Sequence, residues 1–238
     1  MILAFWPVVL ICFGSGGLLV GRASHRSSFT VHKLGGVVMR YDLDWQERDA
    51  METAVGLVWE LELPITLCRG ARPIAVHWPT YMYSVEEIER EFARCPQLNV
   101  GVVLSRRSSL MEVVTNRGDG KQSERDFDEL VDDVFMLTPT FTSRDGYHRL
   151  FMVDERLDSL GLTSLSFKSL SINIGTPRVA RHCLVPPSLS QGVRREWLLH
   201  PDDTNGRFER LPDFAVDKIV TAYRDSGGLK RRPAMAIA

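Results

Sequence analysis

The segment from Thr138 to Phe151 reads TPTFTSRDGYHRLF, and in it Ser143, Arg144, Gly146, His148 and Arg149 have types and a spacing that could do chemistry. Ser143 and Gly146 frame a tight turn, and His148 then projects from the following strand with Arg149 beside it. The N–H groups of such a turn, a hydroxyl, an imidazole and a guanidinium together make a workable phosphate-binding corner. On spacing alone, a plain hairpin with a satisfied histidine is the stronger reading. His77, His182 and His200 have no metal-ligand spacing. The four cysteines, at 12, 68, 95 and 183, include no C-x-x-C pair, which argues against a zinc ribbon or a thioredoxin-like motif. They are also too sparse for a disulfide scaffold, so reduced and mostly buried thiols are expected.

The elements that must position these residues alternate along the chain. Met51, Ala54, Val55, Val58 and Leu61 recur at helical spacing within 46–61. A short apolar strand covers 64–68. Ser84 and Glu87 form a capping box for a helix that runs to about Cys95, where Pro96 stops it. Strands are expected over 99–104 and 110–115. A turn at 118–120 follows, and then a helix carrying the acidic run from Glu124 to Asp133, read as a solvated face. Residues 139–142 and 147–153 pair around Arg144-Asp145-Gly146. Residues 170–174 and 181–185 form a further strand pair, 195–199 another strand, and Leu211-Pro212-Asp213 opens a last helix to about Arg224. The pattern is α+β, with a mixed or antiparallel sheet and flanking helices.

Composition sets limits on function. Of 238 residues, 44% are hydrophobic and 25% charged, which excludes a disordered, collagen-like or coiled-coil chain. Lys plus Arg number 29 and Asp plus Glu 30, a net charge of −1, so a uniformly basic nucleic-acid coat is excluded while a local basic groove is not. Met1 to Gly21 carries no charge and just reaches the length of a membrane span, although Pro7 and the Gly14–Gly17 cluster weaken it as a helix. Three readings stand: a reverse signal anchor, a cleaved export signal, or a start placed too far upstream, with Met39 or Met51 the true one. The last is favoured, which makes the chain cytoplasmic; the anchor reading keeps the domain in the cytoplasm behind a membrane tether. The expected organisation is an apolar segment and linker over 1–44, one domain over 45–225 and a disordered tail over 226–238.

Five stretches, in order, carry a resemblance. Leu63 to Pro73 has a strand followed by a Gly70-Ala71-Arg72-Pro73 loop, with Trp78 beyond it. Asn99-Val100-Gly101 opens the next strand. The Ser143, Gly146, His148 hairpin follows, and then Pro186-Pro187-Ser188 with Gly192 and Trp197, and finally Leu211-Pro212. Together they resemble the bifunctional primase/polymerase (prim-pol) domain of the archaeo-eukaryotic primase superfamily, over about 160 residues. The resemblance implies a sheet core like that of RNA-recognition modules and template-directed nucleotidyl transfer from (d)NTPs with Mg²⁺ or Mn²⁺. It also implies a DNA or RNA template and primer, and a separate replicative helicase as partner. Glu112 and His148 would be catalytic. Glu112 and Asn116 would face the metal, and Ser143, Arg144, Gly146, His148 and Arg149 would hold the nucleotide.

The sequence departs from that family pattern at the metal site. Val114 stands where a second carboxylate is expected and Ser171 where a third is, while Asn116 offers only a neutral carbonyl oxygen. Ala71 replaces a loop lysine and Ser190 a histidine. Asp119 could substitute from the turn. Two-metal phosphoryl transfer needs several carboxylates, and one confident acid does not supply them. Three readings therefore remain: an active primase or polymerase; a degenerate prim-pol module that binds nucleotide or nucleic acid without synthesis; and an unrelated α+β domain. Arg144, Arg149, Arg178 and Arg181 are expected to make the cleft net positive. Lys230-Arg231-Arg232 in the tail could touch phosphate.

Overall fold

In the computed structural model, residues 33–34, 37–38, 48–105, 107–116, 118, 121–175 and 180–225 are described. The chain divides into two units, Met1–Arg40 and Tyr41–Ala238. In the first, Lys33–Leu34 (β1) pairs antiparallel with Val37–Val38 (β2). The apolar segment 1–21, Met39, Asp119, Arg178 and the tail 226–238 lie outside the described residues. Among the described residues no helix is long and apolar enough to cross a membrane.

In the second unit the first two helices start the same way. Asp49 caps Ala50–Trp59 (α1) by accepting from the Glu52 N–H while Glu52 reaches back to the Asp49 N–H. The strands Ile65–Arg69 (β3) and Arg72–Pro73 (β4) follow. Ser84 and Glu87 then form the reciprocal pair at the start of Val85–Arg94 (α2), as the sequence leads one to expect. Asn99–Leu104 (β5) is buried throughout, and Leu110–Asn116 (β6) leads into Gln122–Val131 (α3). Thr140–Thr142 (β7) and Gly146–Met152 (β8) form the hairpin. Glu155–Ser159 (α4), Ser164–Phe167 (β9), Leu170–Ile174 (β10) and Arg181–Leu184 (β11) come next. The short pair Leu189–Ser190 (β12) and Val193–Arg194 (β13), the strand Glu196–Leu199 (β14) and the helix Asp213–Asp225 (α5) complete it.

The fold is α+β with antiparallel sheets and flanking helices. Where one sheet is expected from the sequence, two principal sheets form: six strands in the order β14-β7-β8-β6-β10-β9, and four in the order β11-β5-β3-β4. Every strand pair among the described residues is antiparallel, with one isolated parallel bridge between Met152 and Arg210. One face of the six-stranded sheet is apolar. Met111, Val113, Phe151 and Ile172 pack there with Phe127 and Leu130 of α3 and Val216 and Ile219 of α5. Each such side chain stabilises the fold by roughly 1.5–3 kcal/mol on leaving water. α4 and β9 do not stand out in the sequence. α4 is a five-residue helix capped by Asp154, and β9 is a four-residue edge strand.

Two motif residues act as pins between distant segments. Asn99 donates through Nδ2 to the carbonyls of Gly70 (2.9 Å) and Leu189 (2.6 Å), and its Oδ1 accepts from the Leu189 N–H at 2.9 Å. Ser188 bonds both the N–H and the carbonyl of Val100, at 3.0 and 3.1 Å. The Asn-x-Gly strand and the Pro-Pro-Ser turn thus hold each other in place by saturating buried polar groups. The acidic run is less solvated than the sequence suggests. Asp126 is buried and takes hydrogen bonds from Ser169 and Gln122, and Glu124 takes one from Arg149.

Candidate phosphate-binding corner

Side chains alternate along a strand, so register decides which residues meet. On β6, Met111, Val113 and Thr115 face the apolar core, and Leu110, Glu112, Val114 and Asn116 face the other side. β8 pairs Val114 with His148 and Glu112 with Leu150. β10 pairs Val114 with Ser171 and Glu112 with Asn173, while β7 sets Phe141 beside His148. Glu112, Asn116, His148, Ser171 and Asn173 therefore share the face away from α3 and α5.

On that face three side chains join in line. His148 Nδ1 lies 2.7 Å from Glu112 Oε1, and His148 Nε2 lies 2.7 Å from Ser143 Oγ. All three residues are buried. Asn173 Nδ2 donates to the other carboxylate oxygen of Glu112 at 2.8 Å. Phe141 stacks flat on the imidazole, ring centroids 5.0 Å apart. Burial pushes the Glu112 carboxyl up, but the hydrogen bonds from His148 and Asn173 and the nearby Arg195 charge outweigh it, and the net direction is down.

The turn is built on the serine. Ser143 N–H donates to the Gly146 carbonyl at 2.8 Å, and Ser143 Oγ accepts from the N–H groups of Asp145 (3.1 Å) and Gly146 (3.3 Å). Gly146 has no alternative here, because a Cβ would stand 1.6 Å from the Thr115 carbonyl oxygen. Its role is close approach to β6.

Ser143, Arg144, Asp145, Ser190, Gln191 and Arg195 line a small polar pocket with space for about one water-sized group. Arg195 reaches it from the segment before β14. Its Nη1 donates to the Leu184 carbonyl at 2.7 Å, its guanidinium lies 5.5 Å from the Phe141 ring centroid, and its Nε is buried without a hydrogen-bond partner. Burial lowers the guanidinium's pKa, opposed by the charges of Cys183, Glu112 and Asp145. Arg144 lies exposed at the rim, bonded to Gln191 at 3.1 Å.

The sequence-predicted residues divide. Ser143, Gly146, His148 and Glu112 come together, with Arg144 at the pocket. Arg149 does not join them. It faces the apolar side, bonds Glu124 at 2.7 Å and lies 4.1 Å over the Phe127 ring. Asn116 sits at the exposed end of β6, its side-chain carbonyl accepting from the Gly118 N–H at 2.8 Å. It stands four positions beyond Glu112, about 13 Å along a strand. Ligand oxygens lie about 2.0–2.6 Å from Mg²⁺, Mn²⁺ or similar ions, so the two cannot share one. Val114 and Ser171 bring no charge, and both oxygens of Glu112 already hold partners. Among the described residues no group of three or more His, Cys, Asp or Glu could hold a metal ion. The donor set does not fit a two-metal site.

Two residues of the site escape the sequence reading. Asn173 is polar at the position opposite Glu112 and becomes its second partner. Arg195 stands between Gly192 and Trp197 of the Pro-Pro-Ser motif, and only the return of that segment to β7 brings it to Ser143. Arg181 bonds Asn173 Oδ1 at 3.3 Å, so it supplies charge near the site as expected, whereas Arg149 does not. No family model matches this chain, and no curated protein matches it.

Proposed function

We propose that this chain is a degenerate module of prim-pol type, which holds the phosphates of a nucleotide or nucleic acid without synthesising a strand. One observation carries the reading: Glu112, the one carboxylate that the described residues of β6, β8 and β10 turn to the site face, is engaged at both oxygens by His148 and Asn173. It is thereby a brace for the histidine rather than a metal ligand. The pocket is lined by the Ser143 hydroxyl, the Arg195 guanidinium and Arg144 together with one carboxylate, Asp145, so two cations face one acid there and the balance favours phosphate oxygens. Beyond Glu112 the same face carries exposed Ser164, Ser166 and Ser171, a surface of small polar side chains. The order of motifs in the chain supports the prim-pol relationship. DNA or RNA strands and free nucleotides are then the partners, with a separate helicase supplying any strand opening, in the cytoplasm.

The test pairs two assays on the purified full chain. Fluorescent dATP is titrated in EDTA, and a primed template is incubated with labelled dNTPs and Mg²⁺ or Mn²⁺. The reading expects metal-independent binding that weakens at least about tenfold in His148→Ala, and no extension. Extension abolished by Glu112→Ala would overturn it in favour of template-directed nucleotidyl transfer.

A further inference from the structure

The hydrogen bonds at Ser143 fix where its proton goes. Oγ has two lone pairs and one hydrogen. The lone pairs accept the N–H groups of Asp145 and Gly146. Its hydrogen has two acceptors within reach, His148 Nε2 at 2.7 Å and the Gly146 carbonyl at 3.5 Å, and the much shorter contact is to the imidazole. His148 Nε2 therefore accepts, and Nδ1–H donates to Glu112. This is a nucleophile, a base and an orienting carboxylate joined in line, the arrangement that activates a serine in acyl transfer. Asn173 holds the free oxygen of Glu112, and Phe141 holds the ring plane. The pocket beside the buried Ser143 is also lined by Arg195, whose guanidinium keeps a buried Nε without a hydrogen-bond partner.

From this geometry we infer that Ser143 is an activated nucleophile toward small esters, with His148 as general base, Glu112 as positioning residue and Arg195 as oxyanion donor. The step balances with water alone. Oγ bonds the carbonyl carbon as its proton passes to His148 Nε2, and the oxyanion forms beside Arg195. The C–O bond then breaks, the alcohol leaves with the proton from His148, and water releases the acid from Ser143 by the same path. The pocket has room for about one water-sized group, the size of an ester's carbonyl oxygen. The inference is independent of the nucleotide reading.

An alkyl fluorophosphonate tests it, because attack by Oγ forms a P–O bond, expels fluoride and leaves a stable adduct. The full chain is incubated with the probe in the absence of nucleotide and followed by intact mass and peptide mapping. One adduct is expected, on Ser143, absent in Ser143→Ala and after heat denaturation. Its rate falls at least about 100-fold in His148→Gln and about tenfold or more in Glu112→Gln, with part of the rate restored in Glu112→Asp. Absence of a Ser143 adduct on folded wild-type protein overturns the inference, as does an adduct formed at the same rate in His148→Gln. Titration of dATP on the same preparation is read separately, so either proposal can fail alone.

Discussion

His148 and Arg149 are neighbours on β8, and they serve opposite faces of one sheet. His148 bonds Glu112 and Ser143 on the site face, while Arg149 bonds Glu124 and covers Phe127 on the core face. The two residues look like one basic motif in the sequence, and the period of the strand separates their roles.

Removing Arg149 therefore costs stability and spares binding. Arg149→Ala leaves Glu124 without its cation and uncovers an aromatic ring, a loss of about 2–3 kcal/mol. Urea denaturation should show this loss, and dATP affinity should stay within about twofold of the wild type.

Gly146→Ala is expected to be far more damaging than a surface glycine change. The added methyl would meet the Thr115 carbonyl at 1.6 Å, so β8 must move off β6 or the turn must open. A loss of at least about 3 kcal/mol, or no soluble protein, is the expected outcome. A wild-type melting curve would contradict the close approach.

Asn99→Ala tests the pins. It removes three hydrogen bonds and leaves the Gly70 and Leu189 carbonyls and the Leu189 N–H unpaired. About 3 kcal/mol is expected in denaturant titration, with the β12–β13 segment losing amide-exchange protection first.

Acid should weaken the fold through Glu112. Burial raises its pKa, but the hydrogen bonds from His148 and Asn173 outweigh burial, and the folded value lies below the unfolded one. The resulting stabilisation is complete above the unfolded value of about 4.3 and is lost as pH falls through the folded value. Glu112→Gln should flatten the part of the stability–pH curve that lies below that unfolded value, by comparison of denaturation midpoints. An unchanged slope would show that Glu112 does not contribute there.

Much of this architecture is legible in the sequence where local signals are strong. The Ser84–Glu87 capping box, the apolar run from Val100 to Leu104 in β5 and the turn before His148 each specify their element with little help from the rest of the chain. The site is legible only in part. Ser143, Gly146 and His148 lie within one hairpin, so spacing brings them together. Asn173 arrives on β10, 30 residues beyond Ser143, and Arg195 from the link between β13 and β14, 52 residues beyond it, and only the sheet order places them. The inward turn of Asp126 and Glu124 was hidden for a similar reason, since their partners, Ser169 and Arg149, lie on other elements.

The most direct measurement is ¹⁵N NMR of the His148 ring during a titration with dATP in EDTA. The Nε2 nitrogen accepts the Ser143 hydroxyl in the free protein, so a phosphate that draws that hydroxyl away must change its environment. The account predicts that the Nε2 resonance moves with saturable dependence on dATP, and that the movement disappears in Ser143→Ala. Saturable dATP binding that leaves the His148 ring unmoved, or no binding at all, would contradict it.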